Sequence, residues 1–382
     1  MIFKISWRFK KEKTCKLCGK RSKIISEIIG VCVDCLRNNP NEALKIAMEG
    51  HRISRGRFGL PHEPPRDAKG IQCSLCANNC KIPEGSKGFC GLVENRGNRL
   101  IRLAGTPDKG LLHWYYDPLP TNCVADWICP GCTGRGYPKW AYSPGPEYGY
   151  NNLAVFYGAC NLDCLFCQNW QYRHLTAKLE PTFSAGELAK LVTSKVSCVC
   201  YFGGDPSPQM PHALAASRLM LEKTKGRIFR VCWESNGLMN PNILDQAVEL
   251  SLISGGNFKF DIKAWTPSIY KALTGVDNKQ LFENLRRAAK RINERSEPPL
   301  IVASTLIVPG YVDEEEVRMI AGFLADLDPN IPYRLLAFHP DYLMDDLPPT
   351  SKNHMIKCLE AAKKEGLVNI SIGNPWLLGN YY

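Results

Sequence analysis

The 382 residues of this chain, 45% of them hydrophobic, suffice for one large core with smaller modules attached. The 18 cysteines stand mostly in tight C-x2-C groups, which indicates metal binding in a reducing compartment, so we expect a cytoplasmic location. No run of about 18 apolar residues occurs, and residues 1–16 alternate apolar with basic side chains, so we expect neither a membrane span nor a signal peptide.

The positive charge of the chain is concentrated near its N-terminus. The formal net charge is +11, and residues 1–60 carry 14 Lys and Arg but only 5 Asp and Glu. Such a surface suits RNA or an acidic partner. No pattern of aromatic residues for base stacking accompanies the charge, so a solvated surface is the favoured interpretation and RNA remains an untested hypothesis.

The first cysteine group defines a basic module over residues 1–59. Two C-x2-C pairs, thirteen residues apart, supply its four thiols: Cys15, Cys18, Cys32 and Cys35. Paired knuckles at this separation predict a zinc-ribbon-like module with tetrahedral coordination, and Gly19 permits the tight turn. A rubredoxin-like iron site is the alternative.

A second cysteine-rich region is expected over residues 60–150, entered through the proline-rich stretch 60–67, which predicts a stiff linker. Its first group has four thiols, supplied by Cys73, Cys76, Cys80 and Cys90. Four thiolates suit either an auxiliary 4Fe-4S cluster or a structural zinc ion, and the spacing does not decide between them.

The second group of this region has only three thiols close together, Cys123, Cys129 and Cys132. A fourth ligand must come from elsewhere, or the site stays open. The Gly- and Pro-rich sequence around this group predicts no strand, which argues against it as the reactive centre. Its role is left open.

From Leu153 onward apolar strands alternate with amphipathic helices, which predicts βαβ units and a parallel sheet over residues 151–382. The predicted strands cover residues 153–157, 196–202, 228–233, 258–262, 300–308, 333–338 and 368–372. Helix signals lie between them: a capping box at Ser184 and Glu187, an apolar stripe at Leu281, Leu285, Ala288 and Ile292, and a helix start at Asp313. Six βα units predict a partial (β/α)6 barrel with its active site at the strand carboxyl ends.

The loop after the first of these strands carries C-x3-C-x2-C, with thiols at Cys160, Cys164 and Cys167. Three thiolates hold three irons of a 4Fe-4S cube and leave the fourth iron free for a substrate or cofactor. Apolar packing or half of a zinc site is the alternative. The spacing favours the cluster.

These residues resemble the radical S-adenosylmethionine (SAM) superfamily, whose loop places an aromatic residue, here Phe166, beside the adenine. The chain is also similar to the pyruvate formate-lyase activating-enzyme branch, especially its AmmeMemoRadiSam-type members. That similarity rests on Cys164–Trp170, Val308–Tyr311, Phe338–Tyr342, Leu347–Thr350, Ile372–Asn374 and the stretch from Cys73 to Asn95. The region of Cys123 to Cys132 departs from the family pattern.

The resemblance implies a SAM-binding residue set at the ends of successive strands. Gly203, Gly204 and Asp205 stand where the family has a glycine-glycine-glutamate turn that meets the methionine part of SAM. The others are ribose contacts at Ser235 and Asn236, a D-x-K element at Asp261 and Lys263, and His339 near the adenosine. Strand-end turns, a buried ion pair and a packed histidine are the structural alternatives for these residues. Cys198 and Cys200 share one strand face and are expected to be small core residues.

The resemblance further implies reductive cleavage of SAM to a 5′-deoxyadenosyl radical, with an external low-potential electron donor. The leading hypothesis for the target is a protein, through a glycyl radical or another modification. A second hypothesis is a small metabolite or an RNA base. A third, of another class, is a non-catalytic Fe-S or zinc protein that carries electrons or binds nucleic acid.

Overall fold

The computed structural model of the protein describes residues 11–382, so the interpretation of residues 1–10 lies outside them. The strands are β1 (Lys13–Thr14), β2 (Arg21–Ser22), β3 (Ile71–Gln72), β4 (Lys81–Ile82), β5 (Val93–Asn95), β6 (Leu100–Arg102), β7 (Gly110–Pro118), β8 (Asn151–Tyr157), β9 (Thr182–Phe183), β10 (Val196–Gly203), β11 (Arg230–Ser235), β12 (Phe258–Asp261), β13 (Ile301–Ile307), β14 (Tyr333–Ala337) and β15 (Ile370–Gly373).

The helices are α1 (Val33–Asn38), α2 (Pro40–Gly56), α3 (Pro130–Thr133), α4 (Tyr172–Lys178), α5 (Ala185–Lys190), α6 (Met210–Lys223), α7 (Pro241–Ser254), α8 (Pro267–Thr274), α9 (Lys279–Ala289), α10 (Glu314–Leu327) and α11 (Lys352–Lys364). Short 3-10 turns cover Ser207–Gln209, Ile292–Glu294 and Pro375–Leu377. Over residues 11–382, no helix is both long and apolar enough to cross a membrane.

The main sheet has nine strands in the order β15-β14-β13-β12-β11-β10-β8-β7-β9. The seven strands from β15 to β8 in this order are all parallel to one another. The predicted strands therefore all form, and they make the expected partial barrel. The carboxyl ends of these parallel strands meet at one edge. Helices cover the outer face, where the Trp233 indole donates to Ala247 O of α7.

The helix signals of the sequence are confirmed, with one exception. Ser184 and Glu187 make a reciprocal capping box, and the Asp313 carboxylate accepts from the amide of Glu316 at the start of α10. The predicted stripe of α9 is buried at its first three positions, but α9 ends at Ala289. Ile292 lies beyond it, in a 3-10 turn.

The expectation that no strand precedes Cys129 and Cys132 is wrong. Strand β7 ends five residues before Cys123 and pairs antiparallel with β8 over seven residue pairs. Its first residues, Leu111 and Leu112, are buried, whereas Tyr115 and Tyr116 are 49% and 40% exposed. An edge strand rich in aromatics with one wet face lacks the continuous apolar run of a buried parallel strand.

Residues 119–150, which we call the lumen insertion, lie against the inner face of the sheet. Glu147 of the insertion accepts two hydrogen bonds from the Arg230 guanidinium of β11, at 2.6 and 2.7 Å, and one from the Ser197 hydroxyl of β10. Both members of this ion pair are almost fully buried. Asp126 pairs in the same way with Arg334 of β14. The insertion therefore occupies the concave side of the barrel.

Residues 11–59 form the N-terminal module. This module packs against the barrel near Tyr311 and Asp313, through buried and half-buried contacts. The Tyr311 hydroxyl donates to Val31 O and accepts from the Ser26 amide, both at 3.0 Å. Arg37 forms a two-pronged ion pair with Asp313 at 2.6 and 2.7 Å. These contacts make the N-terminal module an integral part of the molecule.

Candidate active site

The carboxyl ends of the barrel strands enclose a cavity of about 290 Å³. It is lined by all but one of the residues predicted for the iron and SAM sites, namely Cys160, Cys164, Phe166, Cys167, Gly203, Gly204, Asp205, Ser235, Asn236, Asp261 and Lys263. These residues come from the loops after four strands, β8, β10, β11 and β12. Their individual roles stay predictions, but the fold brings them to one place.

His339 is the predicted residue that the described part of the cavity wall does not include. It follows β14, and its Nδ1 lies 2.8 Å from the Asp341 carboxylate. This pairing is compatible with the structural alternative, and a contact of His339 with the adenosine stays a prediction.

The three thiols of the Cys160 loop (residues 158–167) suit metal binding. Cys160 and Cys164 are each 8% exposed, and burial raises the pKa of the Cys164 thiol to about 12 against the opposing charge of Lys263. Burial also raises the pKa of Cys160 and Cys167. Thiols that are kept protonated in this way release their protons when they bind a metal centre. Metal loading is therefore coupled to deprotonation.

The turn at Gly203 and Gly204 packs directly on the Cys160 loop. Gly203 has φ +106°, and a Cβ on Gly204 would meet the carbonyl oxygen of Ala159 at 2.2 Å. The amides of Gly204 and Asp205 donate to Tyr157 O and Ala159 O at 2.9 and 2.8 Å. Only glycine leaves the backbone of this turn open to the cavity.

The Asp205 carboxylate is occupied by its own chain. It accepts from the amides of Ser207 and Asn236 at 2.8 and 2.7 Å and from the Ser235 hydroxyl at 3.1 Å. Burial raises its pKa, and these hydrogen bonds oppose the shift. Asp205 therefore fixes the end of β11 against the end of β10. This arrangement differs from the pairing with a SAM ammonium group that the family turn implies.

Asp261 and Lys263 form the close ion pair that period-two spacing allows. One carboxylate oxygen of Asp261, Oδ1, is buried on the cavity wall without a hydrogen-bond partner in the described structure. The Lys263 ammonium lies 5.6 Å from the centre of the Phe166 ring. A buried acceptor without a partner is costly, so Oδ1 is a natural position for a donor group of a bound ligand.

Sequence reasoning missed several side chains of the same cavity. Glu234 of β11 and Arg334 of β14 face it, and burial raises the pKa of Glu234. Cys123 of the lumen insertion also lines the wall. Arg334 lies in a predicted strand and Glu234 directly follows one, but only the folded sheet shows that both face one cavity.

A buried network behind the Cys160 loop was likewise not foreseen. Asp163, between two of the cysteines, accepts from the Arg173 guanidinium at 2.6 Å, the Ser54 hydroxyl at 2.8 Å and His51 Nδ1 at 2.9 Å. Burial raises the pKa of Asp163, but His51 and Arg173 outweigh it and hold that pKa far below its usual range. Helix α2 of the N-terminal module thus supports the loop.

The Cys15 group has the geometry of a single-ion site. Cys15 and Cys35 Sγ lie 3.7 Å apart, as do Cys18 and Cys32 Sγ. Four sulfurs at about 2.3 Å from one zinc ion are about 3.8 Å apart. Burial opposes ionisation of Cys15, but amide hydrogen bonds from Cys18 and Cys32 outweigh it, and the pKa of Cys15 falls to about 6.

The other cysteine groups are more open. Within residues 11–382, no second trio of His, Cys, Asp or Glu ligand atoms lies within 4.8 Å of one another. A 4Fe-4S cube binds its thiolates through separate irons, so its ligands stand farther apart than those of one ion. Neither the Cys160 loop nor the group of Cys73, Cys76, Cys80 and Cys90 has that single-ion spacing within residues 11–382.

Comparisons with known proteins agree with this site. The sequence model of the Radical SAM superfamily matches residues 154–324. An uncharacterised protein of Methanocaldococcus jannaschii is 25% identical over 327 residues, which are 81% of this chain and 82% of that protein. The isethionate sulfite-lyase activating enzyme of Oleidesulfovibrio alaskensis is 31% identical over 139 residues, which are 36% of this chain and 40% of that enzyme.

Among solved structures, a domain of a pyruvate-formate lyase-activating enzyme from Bacteroides vulgatus has a TM-score of 0.32 at 19% identity, covering 42% of this chain and 94% of the domain. Residues 154–324, most of the barrel, match the Radical SAM superfamily, and the similarity of the chain to an activating enzyme is consistent with that branch. The superfamily uses a 4Fe-4S cluster and SAM, and membership supports an enzyme. The three thiols, the glycine turn and the unpartnered Asp261 oxygen fit both groups.

Proposed function

We propose that the protein is a radical SAM enzyme whose cluster is held by Cys160, Cys164 and Cys167. The observation that carries the proposal is the convergence of strand-end residues from four loops on one cavity. When bound, the cluster and SAM supply a 5′-deoxyadenosyl radical that abstracts hydrogen from the substrate. The electron comes from an external low-potential donor.

The chain's own residues bind and orient the ligands, and they exclude water from the cavity. Gly203 and Gly204 let the backbone approach the ligand, and Asp205 holds Ser235 and Asn236 at the rim. Asp261 Oδ1 offers an acceptor to an ammonium or hydroxyl group. Helices on the outer face and the lumen insertion on the inner face restrict access of water, which protects a reactive species.

The target of the radical is a protein in our leading proposal. The support is the similarity of 139 residues to an enzyme named as an isethionate sulfite-lyase activator. An activating enzyme of this kind acts on a partner protein, so we propose a protein substrate here, modified through a glycyl radical or another group.

A small-molecule target is the second candidate, and one observation favours it. The lumen insertion fills the concave side of the barrel and leaves a cavity of about 290 Å³. Because the chain's own insertion already occupies the concave side, a small molecule beside the cofactor fits there more easily than an inserted protein loop. An RNA base remains the third candidate, motivated by the basic N-terminal module.

Reductive cleavage of SAM tests the proposal. After anaerobic reconstitution and reduction with dithionite, the protein should convert SAM to 5′-deoxyadenosine and methionine. Cys164→Ser should abolish the product, measured by chromatography. Cys358→Ser is the matched control, because Cys358 is equally buried but lies on α11, outside all cysteine groups. Undiminished cleavage by the Cys164 variant would overturn the assignment.

The class of substrate is tested by fractionating a cell extract. A protein target predicts that the fraction retained by a 10-kDa membrane (roughly the smallest folded domains) stimulates 5′-deoxyadenosine formation and loses this effect after protease treatment. A metabolite predicts activity in the filtrate. Loss after ribonuclease treatment alone would instead identify RNA.

A further inference from the structure

Six sulfur atoms meet on the inner face of the barrel. Three belong to the lumen insertion, at Cys123, Cys129 and Cys132, and three to neighbouring strands. Cys200 of β10 and Cys232 of β11 are register partners, and Cys198 precedes Cys200 on the same face. The sequence alone favoured simple core packing for Cys198 and Cys200.

The thiols of the insertion and of the strands are in contact. Cys132 and Cys198 are buried together with Leu119, and Cys129 packs against them. Cys123 and Cys129 pack in turn against a neighbouring buried group that includes Val302 of β13. Cys129 thus joins Cys123 to the pair of Cys132 and Cys198.

A buried cation distinguishes this cluster from ordinary packing. Lys259 of β12 is 2% exposed, and its ammonium donates to Cys123 Sγ and Cys200 Sγ, both at 3.1 Å. The carboxylate of Glu234 is 3.9 Å away. An ammonium group buried among neutral thiols would be poorly compensated. Glu234 offers one carboxylate at the outer limit of an ion pair, and a metal-bound Cys123 thiolate would add negative charge in direct contact with the ammonium.

The insertion is fixed firmly enough to serve as a ligand-bearing element. The buried Arg230–Glu147 pair and the Asp126–Arg334 pair tie its two halves to two different strands, β11 and β14. The amide of Ala125 donates to Cys123 Sγ at 3.4 Å, as amides do around metal thiolates.

We propose that Cys123, Cys129 and Cys132, with Cys198 as fourth ligand, hold a second iron–sulfur cluster inside the barrel. No three of the lumen thiols satisfy the 4.8 Å spacing of a single-ion site within the described residues, which favours a cluster over zinc. Lys259 balances its charge. Because Cys123 lines the same cavity as the Cys160 loop, a substrate there lies beside both centres.

Metal content tests the lumen cluster separately from the proposed function. Only the role of this cluster in turnover rests on the proposed function. The double variant Cys129→Ser with Cys132→Ser should lose about four irons and four sulfides per chain. It should retain reductive cleavage of SAM, because the Cys160 loop is intact. Cys164→Ser should also lose about four irons and four sulfides, but it should abolish reductive cleavage of SAM, and Cys358→Ser should change neither property.

Unchanged iron in the double variant, or loss of zinc in place of iron, overturns the proposal. If the double variant fails to fold, electron paramagnetic resonance is applied to a variant whose Cys160, Cys164 and Cys167 are all serine. A reduced-cluster signal that changes on adding Lys259→Met supports the lumen site, with a lower midpoint potential because a buried positive charge is removed. A signal unaffected by Lys259→Met overturns it.

Discussion

At the scale of single residues, Asp163 connects the metal-binding loop to the N-terminal module. Its carboxylate lies in a fully buried site. There it forms an ion pair with Arg173 and hydrogen bonds with His51 and Ser54. A buried ion pair of this kind contributes little net stability by itself. Losing one partner, however, leaves the other charge buried without a counter-charge, which is costly. The residue therefore controls both the local structure and the position of Cys160 and Cys164.

Asp163→Asn should lower the free energy of unfolding by about 3–5 kcal/mol, because the Arg173 guanidinium loses its counter-charge. Urea denaturation followed by circular dichroism measures the change. The control is Asp245→Asn, whose carboxylate pairs with Arg287 at the surface with both side chains nearly half exposed. That variant should lose less than about 1 kcal/mol. Equal losses in the two variants would contradict the role given to Asp163.

Asp261→Asn should raise the KM for SAM by about 10- to 100-fold, equivalent to about 1.4–2.8 kcal/mol of lost binding. The charge that faces a ligand donor at Oδ1 disappears, while the shape of the side chain is kept. Initial rates of 5′-deoxyadenosine formation at varied SAM measure it. Asp341→Asn, beside His339, is the control. An unchanged KM in the Asp261 variant would remove this residue from the binding site.

Sequence reasoning succeeded for residues that directly follow a strand and failed for partners that only folding brings together. The Cys160 loop, Gly203 and Asp261 stand next to predicted strand ends, so their convergence could be foreseen. His51 and Asp163 are 112 positions apart, and no local pattern links them. The saturated hydrogen bonding of Asp205 also depends on packing that spacing does not encode.

At the scale of elements, the edge of the sheet is secured by α6. His212 of α6 lies against β7, β8 and β9: its Nδ1 is 2.8 Å from the Tyr157 hydroxyl, and its Nε2 is 3.0 Å from Phe183 O. A Cβ on Gly110 would meet the imidazole at 2.6 Å, so β7 needs glycine there. The parallel strands were predictable because each is an apolar run between helix signals, whereas β7 was missed because half of it faces water.

The imidazole of His212 gives the fold an acid-sensitive contact. Burial lowers its pKa from 6.5 to about 4. The unfolded chain therefore binds a proton more readily than the folded protein, so this contribution is complete above pH 6.5 and is lost as the pH falls toward 4. The full loss, reached below pH 4, amounts to about 3–4 kcal/mol.

Melting temperatures at pH 7.5 and pH 5 measure this effect. The wild-type protein should lose more stability on acidification than His212→Gln, which keeps a donor toward Phe183 O but does not titrate. His62→Gln, at an exposed position, should follow the wild type. Parallel pH curves for His212→Gln and the wild type would show that His212 is not the titrating group.

At the scale of the whole molecule, the barrel is enclosed on two sides by cysteine-bearing segments. The lumen insertion fills its inner face, and the N-terminal module packs against α8 and α10 and supports the Cys160 loop through α2. Composition and cysteine spacing predicted that both cysteine-bearing segments could bind metal, and the Cys15 group has the matching geometry. They did not predict how these segments dock, because docking depends on ion pairs between distant residues, such as the half-buried Arg37–Asp313 and the buried Arg230–Glu147.

Loss of the N-terminal metal should therefore weaken the whole protein. Cys18→Ser should lose one zinc ion per chain and lower the melting temperature by about 5 °C, because metal binding contributes to folding of the module. Metal analysis and calorimetry measure both, with Cys358→Ser as the control for loss of a thiol. An unchanged melting temperature after complete zinc loss would show that the module is not coupled to the barrel.

The central claim is that the Cys160 loop holds a cluster with one iron open to SAM. Electron–nuclear double resonance on the reduced protein, mixed with SAM carrying ¹⁵N in its amino group, tests it most directly. We predict a ¹⁵N coupling to the cluster in the wild type that disappears in Cys164→Ser and persists in Cys358→Ser. A reduced cluster at this loop that shows no coupling to SAM would contradict the account.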